Sequence, residues 1–373
     1  MKILFLIRSL QFGGAERQLV TLAKGLHQKG LNVGVTVFYP GGPLQAELHE
    51  VGIQVIVLEK RGRWDLVGFF MKLIQTIRAF QPDILHGYLG VPNILTVLLK
   101  PIFPKVKMVW GVRASFMDLE KYDWLIKTLY KIECKLSRFA DLIIANSYAG
   151  MEYSIKQGFP AQKMIVVPNG INMEQFGLDL ESKNQMRRVW GISEDETLIG
   201  MVGRLDPMKD HSTFLKAATL LVKEITNVRF VCVGEGPLDY KRQLQEEAET
   251  LGLSKHLLWI GNVNDMSAVY NALDILTLSS YGEGFPNVIG EAMACGVPCV
   301  VTEVGDSARI VGDTGVVVPP KSPDQLAEGL KAMLNRLDGN RADISRKVRE
   351  RIVSEFSSEI LFQRTVEALR RLL

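Results

Sequence analysis

Short apolar runs alternate with longer amphipathic stretches along the whole chain, and that rhythm predicts strands alternating with helices. KILFLI (2–7) reads as a buried strand. GGAERQLVTLAKGLHQKG follows as a helix, with Leu19, Leu22, Ala23 and Leu26 at helical spacing. NVGVTVFY, GIQVIVLE, DILHGY, KMVWGV and DLIIANS are further strands. Between them lie the helix WDLVGFFMKLIQTIRAF, another near 92–100 and a long one over 119–139. MIVVPNGIN (164–172) reads as the exit into a linker, and 173–196 as linker plus a short helix. The rhythm restarts at 197, where TLIGMVGRL, NVRFVCVGEG, HLLWIGNV, DILTLSS, PCVVTEVG and TGVVVPP are strands. Helices near 323–337, at RADISRKVRERIVSEF and at SEILFQRTVEALRRLL close the chain. Strands that are apolar throughout, rather than at alternate positions, belong to parallel sheets covered on both faces. The expected fold class is therefore α/β, with two Rossmann-like doubly wound parallel-sheet domains facing a cleft.

Length supports two domains, because 373 residues exceed one ordinary core. The expected boundaries are 1–172 and 173–356. The composition is that of a soluble globular protein, 47% apolar and 23% charged. A net charge of +3 conceals an asymmetry. Residues 1–172 hold 21 Lys and Arg against 12 Asp and Glu, a net of +9; the remainder holds 23 against 29, a net of −6. The apolar run of Met1–Ile7 stops at Arg8 and reads as a strand, not a leader. The run NILTVLLKPIF is broken by Lys100 and Pro101, too soon to span a bilayer. The expected location is cytoplasmic, peripheral at the inner face of the membrane. The four cysteines read as reduced core residues. The five histidines are scattered, so no metal site is expected, and no nucleic-acid partner either.

The densest chemistry lies in EGFPNVIGE (283–291). It joins the apolar run DILTLSS to a helix. A strand, a glycine-containing turn and a helix N-terminus form an anion site, since unpaired N–H groups and the positive end of the helix dipole meet there. Gly282 and Gly284 allow close backbone approach. Pro286 suits the first helical turn. Carboxylates on both sides, Glu283 and Glu291, fit a ligand with hydroxyls flanking a diphosphate, as in a nucleotide sugar. GRLDPMKD (203–210) leaves the first strand of the second half, and Gly203, Arg204 and Lys209 fall on the same sheet edge. Two cations there can neutralise a diphosphate without a metal. VGEGPLD (233–239) reads equally as a tight turn and as a ligand loop; a dinucleotide fingerprint would need glycine where Asp239 stands.

In the first half, Gly13 and Gly14 open a helix at the end of the first strand. His86 and Tyr88 lie near a strand end, and Arg113 follows the next strand. His86 reads equally as a site residue and as a structural histidine. Arg113 beyond a buried strand points to a site. On the helix 119–139, Leu125, Leu129, Ile132, Leu136 and Phe139 form an apolar stripe. Lys127, Lys131, Lys135 and Arg138 form a basic stripe roughly opposite, which reads as a solvated face or as a surface for anionic lipid headgroups.

EGFPNVIGEAMACGVP, GRLDPMK, GGAER and TGVVVPP together resemble the retaining glycosyltransferases of family 4, which have the GT-B fold. The resemblance runs along nearly the whole chain. It implies a UDP- or GDP-linked sugar donor held by the second domain, no cofactor and no metal. It implies a glycan or polyprenyl-linked acceptor on the first domain. By position, Glu291 meets the ribose, and Glu283 and the backbone after Gly284 meet the transferred sugar. Arg204 and Lys209 hold the diphosphate. Phe285, Pro286, Asn287 and Gly203 belong to the donor side; Gly14 lies near the donor phosphate or the acceptor; Gly13 and Tyr88 belong to the acceptor side. Many members carry histidine where Arg113 aligns, which leaves either Arg113 or His86 in that role. The last helix, 357–373, is expected to return to the first domain. Three other readings fit less well. A nucleotide-sugar epimerase or hydrolase would place more acidic residues in the cleft. A non-catalytic glycan-binding relative would have lost some of Arg204, Lys209, Glu283 and Glu291. A dehydrogenase lacks its third glycine.

Overall fold

The computed structural model describes residues 1–62, 65, 67–113 and 124–373. It divides into a first unit, Met1–Gly170 with Ser358–Leu373, and a second, Ile171–Ser357.

The first unit contains β1 (Lys2–Ile7), β2 (Asn32–Val37), β3 (Gln54–Val57), β4 (Ile84–Tyr88), β5 (Lys107–Val112), β6 (Leu142–Ala145) and β7 (Met164–Val166). They form one sheet in the order β3-β2-β1-β4-β5-β6-β7, and every pairing is parallel. The uniform apolarity of β1 follows from its position. Ile3, Phe5 and Ile7 enter the core under the helix Gly14–Gln28, beside Leu19, Leu22 and Leu26. Leu4 and Leu6 enter the opposite core with Leu73, Ile77 and Met108. A side-chain period of two therefore feeds two cores. The run 164–172, expected to be linker, donates its first three residues to the sheet as β7. Pro168 has no N–H and ends the ladder there.

The helix Ser358–Arg370 buries Leu361, Phe362 and Leu369 in the core of the first unit. Gly25 makes this possible, since a Cβ there would come within 2.1 Å of the Phe362 ring. At the join, Gly170 lies against Ser358 and Leu361 in the first unit. In the second, the Ile171 N–H donates to the Phe356 carbonyl at 2.8 Å.

The second unit contains β8 (Thr197–Val202), β9 (Val228–Val233), β10 (Leu257–Ile260), β11 (Ile275–Leu278), β12 (Cys299–Thr302) and β13 (Val316–Val318). Their order is β10-β9-β8-β11-β12-β13, again all parallel. The sense of winding reverses between β8 and β11. At such a switch point the loops beyond the two carboxyl ends diverge and leave a crevice. Those loops are 203–210 and 279–286. No helix among the described residues is long and apolar enough to cross a membrane.

Candidate functional site

Two short loops of the second unit are built to hold Lys209 against Glu283. Asp206 caps the single turn Pro207–Lys209, its carboxylate accepting from the Met208 N–H at 3.0 Å. Asp210 follows in the left-handed region, at φ 53°, and caps the helix His211–Val222 through the Thr213 N–H and hydroxyl. Lys209 is thus fixed between two caps. Its Nζ lies 2.6 Å from Glu283 Oε1, and both side chains are largely buried. The Ser280 hydroxyl donates to the same oxygen at 2.7 Å. Ser279 ties the loops together, its hydroxyl lying 3.0 Å from the Lys209 carbonyl and 2.9 Å from that of Asp210. The Tyr281 N–H donates to the Met208 carbonyl at 3.0 Å.

Glycines are required where backbones close on one another. Gly305, at φ 56°, sits beneath the carbonyls of Glu283 and Gly284; a Cβ would meet their oxygens at 2.5 and 2.6 Å. Gly234, at φ 138°, sits against the Gly203 carbonyl, where a Cβ would come within 2.0 Å. The turn VGEGPLD therefore forms a wall of the Gly203–Leu205 loop, and the Leu205 N–H donates to the Glu235 carbonyl at 2.9 Å.

Not every expected residue converges. Arg204 turns to solvent with 72% of its side chain exposed and pairs with Asp206 at 2.7 Å. Burial works to raise the Asp206 carboxyl, but the Met208 N–H and the Arg204 guanidinium prevail and hold it below the usual carboxylate range. The two cations share a loop but face different carboxylates. Pro286 stands at the capping position of the helix Asn287–Ala294, one place before the first turn. Phe285 was expected on the donor side, through the backbone after Gly284. Its ring is buried against Phe356, 5.7 Å between centroids, so it anchors the loop in the core and leaves only its backbone to a ligand. Glu291 lies on the next turn of that helix, 6% exposed, accepting from the Tyr270 hydroxyl at 2.6 Å. Burial and then Lys209 push His211, the first residue of its helix, down to about 4, so it is neutral near pH 7.

In the first unit, the expectation that His86 and Tyr88 line a ligand site is corrected. Both side chains are wholly buried. The His86 ring packs 5.1 Å from Phe5 and 5.3 Å from Tyr88, and neither ring nitrogen has a hydrogen-bond partner. Burial, with Arg113 second, pushes it down to about 3. It is a neutral core residue in the middle of a strand. Arg113 leaves β5, lies over the Tyr88 ring at 4.5 Å, donates to the Tyr88 hydroxyl, and donates to Asn169 Oδ1 at 2.9 Å. Among the described residues, these two neutral partners hold it in place. Gly13 caps the helix Gly14–Gln28, and a Cβ there would strike the folded-back Glu16 carboxylate. Gly14 is exposed at the helix start.

The expected stripes on the helix 119–139 also shift. Residues 119–123 lie outside the described residues; the remainder forms Trp124–Leu136 and a turn to Phe139. Ile132 and Phe139, assigned to the apolar stripe, are 38% and 52% exposed. Trp124 is exposed as well, beside Lys131, Lys135 and Arg138. The buried position is occupied instead by Glu133, which accepts from Asn93 at 2.9 Å and whose carboxyl burial pushes upward. Among the described residues, the outward face thus mixes aromatic, aliphatic and basic side chains with no acidic one.

Residues 12–175 match the family model for Glycosyltransferase Family 4, and residues 182–351 that for Glycosyl transferases group 1. The chain belongs to the GT-B glycosyltransferases of the family 4 type. It is 28% identical over 247 residues to an Escherichia coli UDP-Gal:alpha-D-GlcNAc-diphosphoundecaprenol alpha-1,3-galactosyltransferase, covering 65% of this chain and 63% of that one. It is 26% identical over 352 residues to a Campylobacter jejuni N-acetylgalactosaminyltransferase acting on a diphospho-undecaprenol-linked acceptor, covering 89% and 90%. Anabaena HepE, crystallised with UDP and glucose, superposes over the whole of both chains with a TM-score of 0.85 and 25% identity. The chain spans 55%, 63% and 52% of the length of the first three curated relatives it matches.

In this GT-B chain the sequence missed the residues that support the site. Asp206 was findable, as a capping residue just before Pro207. Tyr270, Ser279 and Gly305 carry no local signal, because each acts on a segment distant in sequence.

Proposed function

We propose that the protein transfers a sugar from a UDP- or GDP-linked donor, held by the second unit, to a glycan or polyprenyl-linked acceptor on the first. The observation that carries this reading is the Lys209–Glu283 pair, 2.6 Å apart, with Glu283 on the loop that leads into the helix Asn287–Ala294. A diphosphate suits Lys209 and the helix N-terminus; sugar hydroxyls suit the carboxylate. In this reading the pair sets the two loops in register, and the donor engages each of its members separately. Glu291 meets the ribose.

Transfer breaks the bond between the anomeric carbon and the β-phosphate oxygen. Negative charge grows on the leaving diphosphate, where Lys209 and the helix dipole stabilise it, and where Arg204 adds its charge by turning from Asp206 toward the phosphates. The acceptor oxygen bonds to the anomeric carbon from the same face, and its proton passes to the leaving phosphate oxygen. Configuration is retained without a protein nucleophile. The positive charge comes from side chains and backbone, so no metal is required. The relatives acting on diphosphoundecaprenol-linked acceptors support a lipid-linked acceptor. Arg113, a cation held by neutral groups, suits the anionic part of such an acceptor. The face bearing Trp124, Lys131, Ile132, Lys135, Arg138 and Phe139 suits reversible contact with an anionic membrane, where aromatic rings and basic groups meet headgroups.

Incubation with a panel of UDP- and GDP-sugars in excess chelator tests the reading. One donor is expected to release nucleoside diphosphate and yield a product with the donor's anomeric configuration. An inverted product would overturn the mechanism. Loss of activity in chelator, restored by magnesium or manganese, would overturn its metal independence.

A further inference from the structure

Tyr270 is wholly buried on the short helix Met266–Ala272, packed edge-on against Phe176 at 5.9 Å. Its hydroxyl donates to Glu291 Oε2 at 2.6 Å, the short distance of a charge-assisted hydrogen bond. Glu291 is itself buried, on a helix that is buried from Ile289 to Ala294. A buried tyrosine hydroxyl that donates to a carboxylate from a different helix restrains that carboxylate's rotamer. A free glutamate side chain has three rotatable bonds and loses their freedom when it grips a ligand.

We propose that Tyr270 is a positioning residue for nucleotide selection: it holds the Glu291 carboxylate in the orientation that receives the ribose 2′- and 3′-hydroxyls. The inference rests on the assignment of Glu291 to the ribose. A preset carboxylate binds two vicinal hydroxyls without first losing rotamer entropy, and it discriminates against nucleotides that lack them.

The test is a ratio of affinities, which partial unfolding does not alter. Titration calorimetry is run with whichever of uridine or guanosine diphosphate binds the wild type more tightly, and with its 2′,3′-dideoxy counterpart. The wild type should prefer the ribonucleotide, and Glu291→Gln should lose most of that preference. Tyr270→Phe keeps the ring on Phe176 and should lower the preference by roughly tenfold, the weight of one hydrogen bond to a charged group. In the Glu291→Gln background the same change should have little further effect. A Tyr270→Phe variant with wild-type preference, beside a Glu291→Gln variant that has lost it, overturns the role of Tyr270 and leaves the ribose assignment standing. A Glu291→Gln variant that keeps the preference, or a wild type that binds neither diphosphate, overturns both.

Discussion

Lys209 and Glu283 are ion-pair partners, and that pairing sets what single substitutions should do. Removing Lys209 takes away a cation poised for the diphosphate and leaves Glu283 with Ser280 as a partner. Arg204 is exposed and pairs with Asp206, which stays anchored by the Met208 N–H, so its loss leaves the capped turn in place. Lys209→Ala is expected to lower turnover at saturating donor by about a hundredfold or more, the usual loss for one preorganised charge-stabilising group. Arg204→Ala should lower it as well, with an unchanged melting temperature. Steady-state kinetics alongside thermal melts check both. Near-normal turnover in the two variants would remove the diphosphate from this loop. His86 shows the opposite case: its buried, unpartnered imidazole offers nothing to titrate near neutrality.

At the scale of elements, the site depends on the carboxyl edge between β8 and β11 and on the loops that support it. Gly305 supports Glu283 and Gly284 from below, in a backbone conformation that other residues avoid. Gly305→Ala should displace that loop, lower the melting temperature and weaken nucleoside diphosphate binding together; binding at wild-type strength would show the loop to be indifferent to its support. The strands and the two candidate loops were legible in the sequence because apolar runs of strand length and glycine-containing turns are local signals. β7 was not, since three residues closed by Pro168 look like a linker until β6 is beside them. The misplacement of His86 and Tyr88 has a similar cause. Proximity to a strand end does not fix exposure, and the packing of Phe5 against both rings is a contact across 81 or more residues. The apolar stripe on Trp124–Leu136 holds at half-buried Leu125, Leu129 and Leu136 but not at Ile132, because Asn93, on another helix, gives Glu133 a partner and so lets a carboxylate take an inward position.

Across the whole molecule, charge is divided between the halves, +9 over residues 1–172 and −6 beyond. An excess of basic side chains around exposed Trp124 and Phe139 suits a surface with negative headgroups, each Lys or Arg near it adding about 1 kcal/mol that salt screens. Vesicle sedimentation is expected to show binding that rises with the anionic lipid fraction and falls with salt, and that weakens when Lys131, Lys135 and Arg138 are changed to glutamate. Binding indifferent to all three would mark this helix face as merely solvated. Two α/β units, a Lys–Glu pair at a switch point and membership of the GT-B glycosyltransferases support one central claim, donor activation in the second unit. Its most direct measurement is nucleoside diphosphate release from UDP- and GDP-linked sugars, wild type beside Lys209→Ala, at saturating donor. The account predicts release from one donor by the wild type and a rate about a hundredfold lower in the variant; equal rates, or no release from any donor by the wild type with acceptor present, would contradict it.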